Sequence, residues 1–234
     1  MCIDILQSVA NGIGKESYRK AVLEILGDPR LSFTEAKPLI ELCQAPAAPR
    51  KHHFFTGGLA VHTVSTALIA KKLAEIFREL YGVNVDEDLV VAGALLHDIF
   101  KFYQYTSDAV SGGYRARDDW YLSHDYAVVA ELARRGAPDE LIRVVSEAHG
   151  LAPFSTLEGL IVHLADSADA RFGEFIQGAL LSKLRDVEKE GCSVYKALDE
   201  LVKKKGLKTA VQLMLQSIDK LVEEAKKLCK LQTE

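Results

Sequence analysis

Apolar residues recur every three or four positions along most of the chain. Val61, Val64, Leu68, Ile69, Leu73, Ile76, Phe77 and Leu80 keep that spacing after the helix-breaking pair Gly57-Gly58, which predicts one amphipathic helix. Asp86, Glu87 and Asp88 place negative charge where a helix N-terminus favours it, and Leu89 to His97 continue as a nearly all-apolar buried segment whose helix ends near Lys101. Ser123 is positioned to cap a helix running to Arg135, which Gly136 stops; Pro138 opens the next helix and Gly150 closes it. Ser155-Thr156-Leu157-Glu158 has the form of a capping box and starts a helix through about Arg171. Gly191, Ser193 and Gly206 divide the tail into further amphipathic helices that end in a lysine-rich stretch. No strand alternation persists, and no internal repeat interrupts the pattern. It predicts an all-α protein.

One connection departs from this regularity. Phe102 to Leu122 carries Gly112-Gly113, the rings of Tyr103, Tyr105, Tyr114 and Trp120, and Arg115, Arg117, Asp118 and Asp119, without helical periodicity. A loop that long is either a functional lid or a mobile surface segment.

Composition narrows the class. The 234 residues are 48% apolar and 26% charged, enough for one sizeable core. Twenty-nine basic against thirty-three acidic side chains leave a net charge of −4, so no global basic field recruits a long nucleic acid or an anionic membrane. The longest stretch without acidic or basic residues, His52 to Ala70, is too polar to span a bilayer. Met1-Cys2-Ile3-Asp4 lacks the flank and apolar block of a signal peptide, so a cytoplasmic location is expected. Cys2, Cys43, Cys192 and Cys229 are far apart in sequence and read as reduced thiols.

The histidines are distributed differently. Six of the seven fall between residues 52 and 149, and the seventh is His163. His62, His97-Asp98, His124, His149 and Asp166 each lie on, or at the end of, a different predicted helix, so a bundle can project all six into one cavity. Imidazole with carboxylate suits iron, manganese, zinc or cobalt. His97-Asp98 terminates the run Leu-Val-Val-Ala-Gly-Ala-Leu-Leu, and two polar groups buried there need partners, which a metal supplies. A single histidine in such a helix is equally a hydrogen-bonded core residue. His163 and Asp169 lie three residues either side of Asp166, close enough to flank a ligand, although Asp169 can instead pair with Arg171 or cap a neighbouring backbone. Arg50-Lys51-His52-His53 forms either a phosphate-attracting mouth or a solvated surface. The lysine runs at 203–205 and 226–227 read as solvated helix faces.

These motifs, in order and spacing, resemble the metal-dependent phosphohydrolases of the HD-domain superfamily, in particular the HD domain of the 3′ to 5′ exoribonuclease group. The likeness rests on His52-His53-Phe-Phe-Thr-Gly-Gly-Leu-Ala-Val-His62-Thr, Ala-Gly-Ala-Leu-Leu-His97-Asp98-Ile-Phe-Lys101, Ser-His124, Glu-Ala-His149-Gly and His163-Leu-Ala-Asp166-Ser-Ala-Asp169-Ala. It implies an HD-type core over about residues 45–172 with a C-terminal helical extension at 173–234, within a single all-α domain. It also implies that His62, His97, Asp98 and Asp166 are the core metal ligands, that His124 and His149 serve a second ion, that Asp98 bridges the two, and that Lys101 contacts a substrate phosphate. The exoribonucleases carry an OB-type nucleic-acid domain as well, and no segment of this sequence is strand-rich enough to form one.

The expected chemistry is phosphomonoester or phosphodiester hydrolysis by a metal-activated hydroxide, with two divalent ions, manganese or iron first and zinc, cobalt or nickel as alternatives. The expected substrate is small: a nucleotide, cyclic dinucleotide or short oligonucleotide. It is expected to enter between the 102–122 loop and residues 50–53, with His53, Lys101, Arg115 and Arg117 meeting phosphate and the tyrosine and tryptophan rings stacking on a base. The C-terminal helices offer a surface for a homo-oligomer. Two alternatives remain open: a di-iron oxygenase built on the same six ligands, and a nucleotide-binding regulator without turnover whose tail docks a partner.

Overall fold

The computed structural model describes residues 2–108, 112–150 and 152–230. Helices α1 (Cys2–Asn11) and α2 (Glu16–Gly27) pack against the central layer, and an irregular segment leads to α3 (Gly58–Tyr81). Then come α4 (Glu87–Leu96), a 3₁₀ turn (Lys101–Gln104), strands β1 (Tyr105–Ser107) and β2 (Tyr114–Ala116), α5 (His124–Arg134), α6 (Asp139–Ala148) and α7 (Leu157–Lys183). A second 3₁₀ turn (Arg185–Glu190) leads to α8 (Val194–Lys205), α9 (Leu207–Gln216) and α10 (Ile218–Lys230).

The order of burial follows from the apolar pattern. Every residue of α4 from Leu89 to Leu96 is buried, because α3, α6 and α7 cover it on different sides. Asp86 starts this helix by accepting the Leu89 amide at 3.1 Å. Gly93 lets α6 come close: a Cβ there would sit 2.6 Å from Val144 Cγ1. Removing such side chains from water contributes roughly 1.5–3 kcal/mol each, which makes α4 the hub of the core.

Several expectations change. α7 does not end near Arg171 but runs on to Lys183, since Ile176 and Leu180 continue its packed face. Its N-cap is Thr156, whose hydroxyl accepts the Gly159 amide at 3.0 Å. Ser155 and Thr156 both donate to buried Glu147, each hydroxyl at 2.6 Å, so Glu147 ties α6 to the start of α7. Ser123 occupies the N-cap position of α5, but its hydroxyl turns to the Asp125 carboxylate rather than to the helix backbone.

The 102–122 connection contains a short antiparallel hairpin, with Tyr105 opposite Ala116 and Ser107 opposite Tyr114. Three pairs are too few to leave an alternating signature. Residues 109–111 of that connection lie outside the described residues. The cysteines are also corrected: Cys2 pairs with Cys43 and Cys192 with Cys229, across Cα separations of 5.7 and 6.1 Å. Both are ordinary distances for a disulfide, set by tertiary contacts that span about forty residues of sequence and leave no local spacing motif.

Two apolar clusters result. The larger joins α1 through α7; the smaller gathers Phe54, Phe55 and Leu180 with Leu198 and Leu201 of α8, Ala210 of α9 and Leu221 of α10. α7 contributes to both. No helix among the described residues is long and apolar enough to cross a membrane.

Candidate metal centre

Five helices deliver the six residues singled out by their spacing. His62 lies in the second turn of α3, His97 caps the C-terminus of α4 with Asp98 following, His124 opens α5, His149 caps the end of α6, and Asp166 faces inward from α7. Asp98 is the hub. Its Oδ2 lies 3.2 Å from His62 Nε2 and 3.5 Å from His97 Nε2, while its Oδ1 lies 3.1 Å from both His124 Nε2 and His149 Nε2. Asp166 Oδ1 completes the inner group, 3.1 Å from His62 Nε2 and 3.7 Å from His97 Nε2. Two sets with ligand atoms within 4.8 Å of one another therefore share Asp98: His62, His97, Asp98 and Asp166, and Asp98, His124 and His149.

These atoms lack ordinary partners. His62 Nε2, His97 Nε2, His124 Nε2 and Asp98 Oδ1 are buried without a hydrogen bond, while Asp98 Oδ2 is ion-paired with the Lys101 ammonium. Orphaned polar atoms in a dry core are costly, and convergent imidazole nitrogens and carboxylate oxygens fit a divalent transition metal. The far nitrogens of the inner rings are already tied: His62 Nδ1 donates to Asp169 Oδ2 at 2.7 Å and His97 Nδ1 donates to the Ala94 carbonyl at 2.7 Å. That arrangement leaves each Nε2 lone pair pointing into the cluster.

Charge follows the same geometry. Burial disfavours the Asp98 anion, yet the Lys101 ammonium and the rings of His97, His124 and His149 outweigh it and hold the carboxyl well below its usual value. Asp166 is lowered likewise, by His62 and His97 against burial. Burial opposes protonation of His62, but Asp166, Asp169 and Asp98 raise it well above the ordinary imidazole value. His124 is pushed down by burial, whereas at His149 Asp98 overcomes burial and raises it. Lys101 is buried with its ammonium 2.5 Å from Asp98 Oδ2.

Other predicted residues lie elsewhere. His53 is buried beside Asp169, with Nδ1 3.7 Å from Oδ2, and burial pushes its pKa down to about 4. His52, whose ring centre is 5.0 Å from that of His62, is pushed by burial to about 3. Arg115 pairs with Asp118 at 2.9 Å, and Arg117 pairs with Asp119 at 2.7 Å and donates to the Lys37 carbonyl at 2.7 Å, so neither guanidinium joins the cluster. The rings expected to stack on a base are engaged as well. Tyr103 is core, its hydroxyl accepting the Leu31 amide; Trp120 packs on Tyr103; Tyr114 bonds Thr56. Tyr105 is buried near Lys101, and burial pushes its phenol up to about 12. His163 donates to the Ala148 carbonyl at 2.9 Å, away from the ligand atoms. Asp169 holds His62, while Arg171 pairs with Glu174 instead.

One set of contacts had no sequence signal. Asp199 of α8 accepts the Thr56 amide at 2.6 Å and its hydroxyl at 3.2 Å, and Thr56 Oγ1 meets Tyr114 Oη at 2.8 Å. The C-terminal extension is thereby fastened to the His53 segment and the hairpin. Nothing in the local sequence around Asp199 marks it.

The chain resembles known proteins over the same region. The HD domain family matches residues 59–171. A dihydroneopterin 2′,3′-cyclic phosphate phosphodiesterase of Methanocaldococcus jannaschii is 36% identical over 201 residues, covering 84% of this chain and 80% of that protein. The 3′-5′ exoribonuclease YhaM of Bacillus subtilis is 32% identical over 153 residues, covering 59% of this chain and 46% of that enzyme. Its counterpart in Bacillus velezensis is 33% identical over 145 residues, again less than half of the relative at 44%. No solved structure matches the chain. A shared domain that contains all six residues of the His/Asp cluster, and a relative matched over most of both chains, lead to one conclusion: the chain belongs to the HD-domain family of metal-dependent phosphohydrolases.

Proposed function

We propose that this protein hydrolyses a small cyclic phosphodiester of a nucleotide-like alcohol, with two divalent ions held at the shared Asp98. His62, His97, Asp98 and Asp166 would hold one ion, and Asp98, His124 and His149 the other, with manganese or iron best suited to the donor set. The observation that carries this reading is the division of Asp98, whose two buried oxygens face opposite groups of imidazoles. When bound, a pair of such ions polarises a phosphoryl oxygen and lowers the pKa of water that attacks phosphorus in line. The substrate class follows the M. jannaschii relative, which acts on a 2′,3′-cyclic phosphate and matches the chain over most of its length.

The protein's own groups supply the rest. Lys101, fixed beside Asp98, brings a cation to the charge that develops on the phosphoryl oxygens. Asp169 orients His62, and the Ala94 carbonyl orients His97. Arg115 and Arg117 are committed to Asp118 and Asp119, so phosphate recognition falls to Lys101 and the neighbouring histidines. A net charge of −4 gives no extended track for a polymer, and small esters are preferred over long RNA.

The test is metal analysis of anaerobically purified protein combined with a phosphoester screen. Metal-dependent opening of nucleoside or pterin 2′,3′-cyclic phosphates is expected, with little action on long RNA. Product formation that consumes dioxygen without cleaving phosphoester would overturn the reading in favour of an oxygenase.

A further inference from the structure

A cavity of about 360 Å³ lies between α7 and the C-terminal helices. Its walls are largely apolar, formed by Phe55, Phe172, Ile176, Leu180, Leu198 and Val211. Polar groups stand at two places. His53 lies on the side toward the metal cluster, and Lys208 and Gln212, one turn apart on α9, form an exposed rim. Gln177 also borders the space, but its amide already accepts the Phe54 amide and donates to the Lys51 carbonyl, so it is a wall and not a reader.

His53 is held there against backbone preference. It is a non-glycine residue with φ of 45°, and the Ala47 amide donates to its carbonyl at 3.0 Å. Two glycines make room for it. A Cβ on Gly58 would lie 1.9 Å from the His53 carbonyl oxygen, and one on Gly173 would lie 2.2 Å from its ring Cε1. A strained residue that its surroundings fix from both sides points to function. On its other side the ring meets Asp169, which holds His62, and the His53 and His62 ring centres are 5.8 Å apart. One side chain is therefore the shared wall of the cavity and the metal centre.

Helix α7 sets the spacing between them. Asp166 faces the cluster, while Gly173 and Ile176 border the cavity, seven and ten residues later. At 1.5 Å of rise per residue the offset is about 10–15 Å. That offset along the helix is longer than a bare phosphate, so only a molecule extending beyond its phosphoryl group could reach both places.

We propose that the cavity is the ring subsite of this enzyme: it takes the flat, uncharged heteroaromatic part of the phosphoester whose phosphoryl group lies at the metal cluster. The inference rests on the phosphohydrolase reading above. Apolar walls bury the two ring faces, as small-molecule sites generally do, while His53 and the Lys208–Gln212 rim meet polar atoms at the ring's edges. An aliphatic chain would fill the same volume but make no use of His53 and the polar rim. The C-terminal extension thereby becomes a specificity element, because α8 and α9 supply Leu198, Leu207, Val211 and the polar rim.

The test compares esters with and without a ring. Adenosine 2′,3′-cyclic phosphate and dihydroneopterin 2′,3′-cyclic phosphate are the probes that bear a heteroaromatic ring, and glycerol 1,2-cyclic phosphate, which has the cyclic ester but no heteroaromatic ring, is called the ringless one. Val211→Trp, with Ile176→Trp as a second variant should the first fold poorly, fills the cavity without touching a ligand. The ratio of kcat/KM for ring-bearing over ringless ester is expected to fall at least tenfold, through KM. Free pterin is expected to compete with the ring-bearing ester in the wild-type protein and to lose that competition in the variant. An unchanged ratio in folded variants would overturn the subsite, as would free pterin that alters kcat for the glycerol ester without competing, the behaviour of an effector site. Absence of hydrolysis of every ester by the wild-type protein would instead sink the phosphohydrolase reading itself.

Discussion

The inner and outer halves of the His/Asp cluster are built to different standards. His62 and His97 are fully buried, and the far nitrogen of each is tied, to Asp169 and to the Ala94 carbonyl. His124 and His149 sit at helix ends with 18% and 15% of their side chains exposed. His149 Nε2 also lies 3.3 Å from the His97 carbonyl oxygen, and among the described residues no carboxylate hydrogen-bonds the far nitrogen of either outer ring. Rigid, dry ligands favour retention of an ion, whereas ligands on helix ends at a mouth favour exchange and access for substrate. The inner half is therefore expected to hold its ion more tightly than the outer half.

Breaking both halves together is expected to have the largest effect. Asp98→Ala removes the shared carboxylate and leaves imidazoles facing one another, so a folded variant should lose most of its bound metal and its activity. Elemental analysis alongside circular dichroism checks this, and undiminished metal in folded protein would contradict the shared ligand.

Next, His149→Ala should remove one ion and spare the other. The metal content of protein loaded with manganese or iron should fall to about half, because tetrahedral or octahedral sites tolerate few lost ligands. If both ions leave together, the two halves are one unit and the comparison fails.

Asp169→Asn acts only on the inner half and without removing a ligand. Loss of an outer-shell carboxylate behind a metal-binding histidine weakens metal affinity by about 10–100-fold. Chelator competition on the inner ion measures it, and an effect on the outer ion alone would reverse the assignment.

The smallest effect is a pH slope in the metal-free protein. His62 is raised well above its ordinary 6.5 by Asp166, Asp169 and Asp98 against burial, so its stabilising contribution is complete below 6.5 and is lost as pH rises through the raised value. His124 is lowered by burial, so its contribution is lost as pH falls below 6.5. Melting temperatures of the metal-free protein should therefore decline on the alkaline side, and a His124→Gln variant should lose part of the acid-side decline. Metal loading should flatten the alkaline slope, because a ligating imidazole is already neutral.

Much of the site was legible because its residues punctuate helices. His97-Asp98 is conspicuous at the end of an apolar run, and Asp166 and Asp169 are conspicuous on one helix face. The ring and arginine contacts expected of the 102–122 segment were not legible. Tyr103 and Trp120 look exposed in a polar stretch, yet the fold makes Tyr103 core and packs Trp120, half-buried, against it, and Arg115 and Arg117 find closer partners in Asp118 and Asp119. The extent of α7 was equally hidden: the two apolar clusters that it joins can be told apart only once α8 and α10 have folded back.

What the sequence by itself determined is the helical class, the positions of α3 to α6, and the set of polar residues that would be stranded in a dry core. Those follow from periodicity and from the cost of burying unpaired groups, both local properties of the chain. The tertiary structure decided the rest: the division of Asp98 between two groups of imidazoles, the seat of Asp169 behind His62, both disulfides, and the cavity that His53 shares with the metal centre. Each depends on a distance between elements far apart in sequence, and only the packing of helices around α4 and α7 sets those distances.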